Sequence, residues 1–273
     1  MSDSISVRAF QSELDQWIDR VPDGAVVFDA DGTLWSHDVG CMVFDFALQE
    51  RQFRDEAAEA LLSHLSLEGL AAPAGCSANE LARVLQKAFY AGKTGERRTA
   101  EMQVWAYAGH SLTSFRSLVR AALDAGRHLD TLHLPLFDLA NHARDRGLSV
   151  YIVSASPLWV VQESTRGLGF GDHEIAGGVP EVVLAGSEVL ITPRMAAPLP
   201  YGADKVVAGR RLLAGRPWLA ALGDSAFDVE MMKEAKLAGV LGNKPELAQR
   251  LSGVPQARRL TSASYLVQNK KIQ

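Results

Sequence analysis

The spacing of apolar residues predicts two elements before residue 30. Apolar residues recur at three- and four-residue steps over 7–21, which predicts an amphipathic helix that ends before Pro22. The continuous apolar run Ala25–Phe28 follows, with turn-forming residues on both sides. It predicts a short buried strand that ends in a tight turn at Gly32.

Residues 40–134 carry helical spacing throughout. Ser77 and Glu80 have the spacing of a capping box, and Ser111 fits the N-cap of a later helix. Linkers that contain Gly and Pro, such as 72–75, separate the helices. The apolar spacing predicts five helices, at 43–48, 57–65, 81–89, 98–107 and 112–123. An all-helical segment of about ninety residues is therefore predicted at this point of the chain.

Strands and helices alternate after residue 134. Buried strands are predicted at 148–153, 218–222 and 237–241, and the stretch 179–192 around Gly186 is typical of a hairpin. Helices are predicted at 135–146, 157–168, 202–212 and after Asp228 to about Lys236, and residues 263–273 are expected to form a frayed tail. Such alternation indicates a parallel sheet with right-handed helical crossovers. The predicted class is α/β, with a core of residues 1–38 and 134–273 and a helical segment over 39–133.

Composition narrows the classes of function. The 273 residues are 47% hydrophobic and 22% charged, which suits a globular protein with a sizeable core. A formal net charge of -4 without long runs of one sign argues against a dedicated nucleic-acid or membrane-surface binder. Cys41 and Cys76 have neither metal-ligand nor disulfide spacing. Since no basic leader and no apolar run of about 20 residues is found, we expect a cytoplasmic protein, monomeric or homodimeric.

Two carboxylates stand where the first predicted strand ends, in the sequence Asp29-Ala30-Asp31-Gly32-Thr33. Like charges this close call for a proton or a cation, and Mg²⁺ prefers oxygen ligands. Gly32 permits a sharp turn whose N–H groups an anion could approach. A solvated acidic turn without chemistry is an alternative. An EF-hand loop is disfavoured, because its fifth and twelfth positions would hold Thr33 and Gly40.

Three further polar groups stand at strand ends or helix starts: Ser154, Lys205, and Asp224 with Asp228. Because the carboxyl ends of parallel strands share one edge of a sheet, these groups can converge with Asp29. Carboxylates can hold a divalent cation, and one of them can act as a nucleophile. A lysine and a hydroxyl can hold the oxygens of a transferring phosphoryl group.

These motifs, in this order, resemble those of the haloacid dehalogenase (HAD) superfamily. Its pattern is a strand ending in D-x-D-G-T, a strand ending in Ser or Thr, a Lys on a helix, and a strand followed by G-D-x-x-x-D. The resemblance covers about 20–40 and 134–260, and it implies a Rossmann-like core with a helical cap of type 1 after the first motif. The sequence Ser154-Ala155-Ser156-Pro157 resembles the phosphoserine phosphatase-like branch. The stretch 29–38 is also similar to phosphorylcholine phosphatase-like members.

The resemblance implies a role for each motif residue. Asp29 would be the nucleophile that becomes an aspartyl phosphate, and Asp31 the general acid and then base. Ser154 and Lys205 would hold the phosphoryl oxygens. Backbone N–H groups that follow Asp29 and Ser154 would bind the same oxygens; the residues concerned are Gly32, Thr33 and Ala155. Mg²⁺ would be held by Asp29, by the backbone carbonyl of Asp31, by Asp224, and by Asp228 behind it.

The same residues separate related activities. Dehalogenases of this superfamily typically lack the second aspartate, and transport ATPases carry Asp-Lys-Thr-Gly-Thr instead, so Asp31 favours phosphomonoester hydrolysis. A phosphomutase or another phosphoryl transferase is the alternative. A receiver-like binding module would be about 120 residues long and would have no helical segment of this kind.

Substrate selection is expected to lie in the helical segment. Asp38 stands nine positions after Asp29, where amine-handling relatives carry an acid. Trp35 and other aromatic residues could form the wall of a site for a cationic group; these are Phe44, Trp105 and Tyr107. The competing interpretation is that they are core residues. The expected substrate is a small phosphate ester, such as phosphoserine, phosphoethanolamine or phosphocholine. The absence of Ser-Gly-Gly at 154–156 argues against phosphoserine.

Overall fold

A computed structural model of the protein describes residues 4–72 and 74–266. Within these residues a parallel sheet has the strand order β3-β2-β1-β6-β7-β8, and β4 and β5 form a separate antiparallel hairpin. The strands are β1 (Ala25–Phe28), β2 (Ser149–Pro157), β3 (Ile175–Gly178), β4 (Pro180–Ala185), β5 (Glu188–Met195), β6 (Trp218–Gly223), β7 (Leu237–Val240) and β8 (Ala257–Arg259). The predicted α/β class is confirmed.

Among the described residues the first helix precedes the sheet, six helices (α2–α7) lie between β1 and β2, and the remaining helices alternate with later strands. They are α1 (Val7–Ile18), α2 (Val39–Gln49), α3 (Ala58–Leu67), α4 (Ala78–Tyr90), α5 (Glu96–Trp105), α6 (Leu112–Ala125), α7 (Leu134–Asp145), α8 (Leu158–Ser164), α9 (Asp204–Leu213), α10 (Val229–Glu234) and α11 (Pro245–Arg250). None of the helices in the described part is long and apolar enough to cross a bilayer.

Strand β1 lies in the middle of the sheet, between β2 and β6. All four of its side chains are buried, because α-helices cover both faces of a parallel sheet and such a strand needs apolar residues throughout. Its register with β2 and β6 brings the carboxyl ends of the three strands to the same edge. The residues that follow β1 therefore lie at the centre of that edge.

Helices α2–α6 pack on one another and on the hairpin. Ser77 and Glu80 form the predicted capping box at the start of α4, and Ser111 caps α6 by accepting from the Ser114 N–H. Strand β5 of the hairpin contacts α5 and α6. Its Ile191 exchanges backbone hydrogen bonds of 2.9 Å with Gly109 and His110. The hairpin thus packs against the helical segment although it follows β3 in the chain.

Four local predictions are corrected. Strand β2 extends to Pro157, because it pairs with β3 as far as Gly178. Helix α8 ends at Ser164, ahead of two glycines with positive φ. Strands β3 and β8 and helix α11 were not predicted. Residues 262–264 form a 3-10 turn and Tyr265 is buried, so the frayed-tail prediction is wrong there, and 267–273 lie outside the described residues, as does Pro73.

Strand β3 was missed because it ends in two glycines, which usually indicate a turn. A side chain at Gly177 would lie 2.7 Å from the Cα of Leu158, and one at Gly178 would lie 2.3 Å from Val104. The glycines are there because other chain segments approach the strand closely.

Candidate active site

The predicted motif residues meet at the carboxyl edge of the sheet. Asp29 follows β1 directly, and its backbone N–H donates to the carbonyl of Leu222 in β6 at 2.9 Å. Asp224 follows β6, and Ser154 lies within β2 on the other side of β1. Lys205 enters from the first turn of α9. The topology therefore joins residues that are up to about two hundred positions apart in sequence.

Lys205 forms the buried centre of the group. Its Nζ lies 2.5 Å from Asp29 Oδ1 and 2.5 Å from Asp228 Oδ1, and its side chain is 3% exposed. Asp228 also accepts from the backbone N–H groups of Asp224 and Ser225 at 3.2 and 2.9 Å. Thr33 donates from its hydroxyl to Asp29 Oδ2 at 3.2 Å. These contacts fix the carboxylate of Asp29 in one orientation.

Burial and like charge act on the acids of this group. Burial raises the pKa of Asp29 well above its ordinary value, the charge of Asp228 adds to this, and Lys205 opposes it. Burial alone would lower the pKa of Lys205, but Asp228 and Asp29 raise it overall, so this lysine stays charged. Negative charge thus exceeds the positive charge that the buried lysine supplies.

Asp31 points to the other side of the turn. Its Oδ1 accepts from the Trp35 indole N–H and from the Val39 N–H, both at 2.8 Å, and its Oδ2 accepts from the Ser156 hydroxyl at 2.6 Å. Burial, followed by the charge of Asp38, raises the pKa of Asp31 to about 6, although these three donors lower it. A carboxyl group with this pKa can both give and take a proton near neutral pH.

Ser156 was missed by the sequence analysis, which singled out Ser154. The Ser154 side chain is 0% exposed, and its hydroxyl accepts from the Ser156 N–H at 3.0 Å and lies 3.4 Å from Asp31 Oδ2. Ser156 and Ala155 line the cavity above it. The signal was present in the sequence, because a second serine two positions along a strand points to the same face.

Three carboxylates could hold a metal ion. Oxygen atoms of Asp29, Asp224 and Asp228 lie within 4.8 Å of one another. A side chain at Gly32, whose φ is +75°, would lie 2.4 Å from Asp224 Oδ2, so only glycine allows this approach. Hard oxygen donors and excess negative charge fit Mg²⁺. The side chain of Asp31 is outside this group, and a contact of its backbone carbonyl with the metal stays a prediction.

Lys244 is a second cation at the site, and the sequence analysis did not select it. Its Nζ lies 2.6 Å from Asp224 Oδ2, and its side chain is 58% exposed, in contrast to that of Lys205. Burial raises the pKa of Asp224, and Lys244 opposes this. The signal was its place, since Lys244 comes soon after strand β7 and hence at the same sheet edge.

A cavity of about 490 Å³ opens above these groups, between the sheet edge and the helical segment. Its sheet side carries Asp29, Asp31, Lys205 and Lys244. Residues from the other sides that line it include Asp38, Cys41, Phe89, Glu96, Gln103, Tyr201 and Phe227. Acidic and aromatic side chains thus line, together with the motif residues, a space of small-molecule size.

The prediction that Trp35 contributes to the wall of the substrate site is wrong. Trp35 is 0% exposed and orients Asp31 instead. The other aromatic residues proposed with it are 0–8% exposed and belong to the core, as their helical spacing also allowed. Phe89, Tyr201 and Phe227 line the cavity in their place, and the last two rings lie 4.2 Å apart.

Asp38 lies where the sequence analysis expected it. It is the N-cap of α2, its Oδ1 accepts from the Cys41 N–H at 2.7 Å, and it lines the cavity. A side chain at Gly40 would lie 3.0 Å from Ser156 Oγ and 3.2 Å from both Asp38 Oδ1 and Gln103 Oε1. Three oxygen atoms from three elements therefore approach the backbone closely at Gly40, where a larger residue would crowd them.

Comparison with known proteins agrees with this geometry. Residues 26–233 match the family described as haloacid dehalogenase-like hydrolase. No curated protein matches the chain significantly.

Several solved structures share the fold. A protein of unknown function from Bordetella pertussis Tohama I is 17% identical, with a TM-score of 0.66 over 88% of this chain and 99% of that one. A HAD family hydrolase from Salmonella enterica serovar Typhi is 14% identical, with a TM-score of 0.53 over 95% and 76%. A phosphoserine phosphohydrolase-like protein from Francisella tularensis is 12% identical, with a TM-score of 0.51 over 88% and 97%.

Proposed function

Because the chain belongs to the haloacid dehalogenase-like hydrolases, we propose that it hydrolyses a small phosphate monoester through an aspartyl phosphate on Asp29. The observation that carries this proposal is the contrast between two neighbouring carboxylates. Asp29 contacts the cation of Lys205, which favours its ionised form, whereas Asp31 accepts only from three neutral donors, and its pKa is about 6. Two acids with different environments are what a nucleophile and a general acid require.

The chemistry divides into two steps. An oxygen of Asp29 forms a bond to phosphorus while the bond from phosphorus to the leaving oxygen breaks, and Asp31 gives its proton to that oxygen. The ionised Asp31 then takes a proton from a water that attacks phosphorus. The bond from phosphorus to Asp29 breaks, inorganic phosphate leaves, and both carboxyl groups return to their first state. Trp35, Val39 and Ser156 hold Asp31 throughout.

Other groups at the sheet edge hold the phosphoryl oxygens. Lys205 supplies a buried positive charge, and Ala155 and Ser156 line the cavity beside Asp31. Ser154 lies directly behind them and supports Ser156. Asp29, Asp224 and Asp228, with the backbone carbonyl of Asp31, would hold Mg²⁺, which supplies charge neutralisation for the phosphoryl group when bound.

We also propose that residues 39–133 act as a cap over a core of residues 1–38 and 134–273. Cavity-lining residues from α2, α4 and α5 face the motif residues of the sheet. The hairpin β4–β5 packs against α5 and α6 and so supports this cap. The cap side would therefore bind the leaving alcohol.

The leaving alcohol that fits best carries an amino group. Asp38, Gln103 and Ser156 line the cavity and bring oxygen atoms close together near Gly40. Hydrogen-bond acceptors with a nearby negative charge favour an N–H donor that is positively charged. Lys205 and Lys244 are the two lysines that line the cavity in the described part of the chain, and both lie at the phosphate end. Aromatic rings also line the cavity, and their faces attract cations. Phosphoethanolamine, phosphoserine and phosphocholine are candidate substrates.

The first experiment measures hydrolysis of an aryl phosphate with and without Mg²⁺, using wild type and Asp29→Asn. We expect Mg²⁺-dependent release in wild type and none in the variant, which keeps the shape of the side chain but loses its charge. Glu59→Ala, a change of an exposed residue in α3, is the control. If folded wild type releases no phosphate, or if Asp29→Asn retains full activity, the proposal fails.

The second experiment compares phosphate esters of equal length with a cationic or a neutral end. Asp38→Ala should lower kcat/KM for the cationic esters by about tenfold and leave the neutral ester nearly unchanged. Gly40→Ala places a methyl group close to the three oxygen atoms. It should likewise lower kcat/KM for the cationic esters and leave the neutral ester nearly unchanged. Equal effects on cationic and neutral esters, or none on either, would exclude an amine site here.

A further inference from the structure

Lys244 is held in place by its backbone but not by its side chain. The chain turns after β7 at Gly242, whose φ is +71°, and the Gly242 N–H donates to the hydroxyl of the buried Tyr265 at 3.0 Å. Lys244 is then the N-cap residue of α11, with Pro245 in the first turn. The anchored turn brings the lysine stem to the sheet edge, while its ammonium group remains free to change partners.

The two lysines of the cavity differ in their freedom. Lys205 is 3% exposed and contacts two buried carboxylates, so its movement would leave Asp29 and Asp228 without a cation. Lys244 is 58% exposed, and Asp224 is its one hydrogen-bonded partner among the described residues. A single, partly solvated ion pair is weak and is readily exchanged.

The carboxylate of Asp224 cannot bind the ammonium group of Lys244 and a metal ion equally well at the same time. It belongs to the carboxylate group that could hold a divalent cation, and Lys244 occupies its Oδ2. A divalent cation on the same carboxylate would repel the ammonium group and weaken the ion pair. The released lysine would still line the cavity in which Asp29 and Lys205 lie.

We propose that Lys244 is a substrate-binding residue that neutralises Asp224 in the metal-free protein and transfers to the phosphoryl oxygens when a divalent cation binds. Its long flexible stem suits such an exchange. The cation would then both occupy Asp224 and free a positive charge for the phosphate. This inference rests on the proposed function, because it assumes a phosphoryl group in the cavity.

The test measures binding rather than turnover. Calorimetric titrations of wild type and Lys244→Met determine the Kd of Mg²⁺ alone, and then the Kd of inorganic phosphate at saturating Mg²⁺. Loss of the competing ammonium group should lower the Kd of Mg²⁺ by about three- to tenfold. Loss of its contact with phosphate should raise the Kd of phosphate by about three- to tenfold. Lys236→Met, a change of an exposed lysine ahead of β7, should alter neither constant.

The opposite signs of the two changes separate this role from a structural one. If Lys244 only stabilises the loop, its replacement should weaken the binding of both Mg²⁺ and phosphate or of neither. Either result would overturn the inference. Lys244→Arg should keep phosphate binding within about threefold of wild type, since it keeps the charge. If wild type neither hydrolyses the aryl phosphate nor binds Mg²⁺ or phosphate, the proposed function is refuted as well. Normal hydrolysis by wild type, with the same two Kd values in wild type and Lys244→Met, refutes the role of Lys244 alone.

Discussion

Replacing Lys205 by methionine should destabilise the protein strongly in the absence of metal. The change keeps an unbranched side chain of similar length but removes the buried cation between Asp29 and Asp228. The two carboxylates are 7% and 0% exposed, so water replaces the lost partner only in part. The variant therefore leaves buried negative charge without compensation.

The magnitude follows from that burial. Removing one partner of a buried ion pair costs about 3–5 kcal/mol of unfolding free energy. For a chain of this size each kcal/mol corresponds to about 2–4 °C, so the melting temperature should fall by about 6–20 °C. The fall should be smaller at about pH 5.5 than at about pH 7.5, because an acid whose pKa is raised by folding destabilises the protein only where it is ionised.

Thermal unfolding of wild type, Lys205→Met and the exposed-site control Lys236→Met measures this effect, with and without Mg²⁺. The control should change the unfolding free energy by no more than about 0.5 kcal/mol. Mg²⁺ should restore part of the loss in Lys205→Met, since it supplies positive charge to the same carboxylates. A second variant, Lys205→Met with Asp228→Asn, should be more stable than the single variant, because one buried charge is removed.

Two outcomes would refute this reasoning. The first is a melting temperature of Lys205→Met within about 2 °C of wild type, which corresponds to a loss of less than about 1 kcal/mol of unfolding free energy. The second is a loss of stability that is the same at both pH values. Either result would mean that Asp29 and Asp228 do not remain charged and buried around this lysine.

Two further predictions concern the same acids. For an alkyl phosphate with a poor leaving group, kcat/KM should fall by about tenfold per pH unit above about pH 6, where Asp31 loses its proton. Trp35→Phe removes a hydrogen-bond donor to the Asp31 carboxylate, so the fall in kcat/KM should begin at a higher pH in this variant. The same pH dependence in wild type and variant would contradict the role of Asp31 as the general acid. The pKa values of Asp29, Asp31 and Asp224 are all raised on folding. Ionisation of these acids therefore destabilises the metal-free protein as the pH rises. Mg²⁺ should for this reason raise the melting temperature more at about pH 7.5 than at about pH 5. An equal rise at both values would contradict a site built from these carboxylates.

Periodicity predicted the sheet core and most helices because local and tertiary preferences agree there. Strand β1 is apolar throughout and buried on both sides, and α4 combines a capping box with an apolar face. Strands β3 and β8 are short, and β3 ends in glycines that suggest a turn. What places those glycines in a strand is the approach of Leu158 and Val104, which is a tertiary effect.

The positions of the motif residues followed from topology, but the contacts of their side chains did not. Asp29, Asp224 and Lys205 could be placed at one sheet edge once the strands were predicted to be parallel. Ser156 belongs to the quoted sequence 154–157 but received no role there, and Lys244 belongs to no recognised motif. The contacts of both residues depend on which way the chain turns. Trp35 was assigned to the cavity because its type suits a cation, whereas packing turns it into the core.

The most direct test of the account is detection of a phosphoryl group on Asp29. Asp31→Asn lacks the base for the second step, so a rapid acid quench after mixing with Mg²⁺ and aryl phosphate should trap the intermediate. Peptide mass spectrometry should then find the mass of one phosphoryl group on the peptide containing Asp29, and this signal should be absent after Asp29→Asn. Phosphate release by wild type with no modified Asp29, or modification of another residue, would contradict an aspartyl phosphate on Asp29.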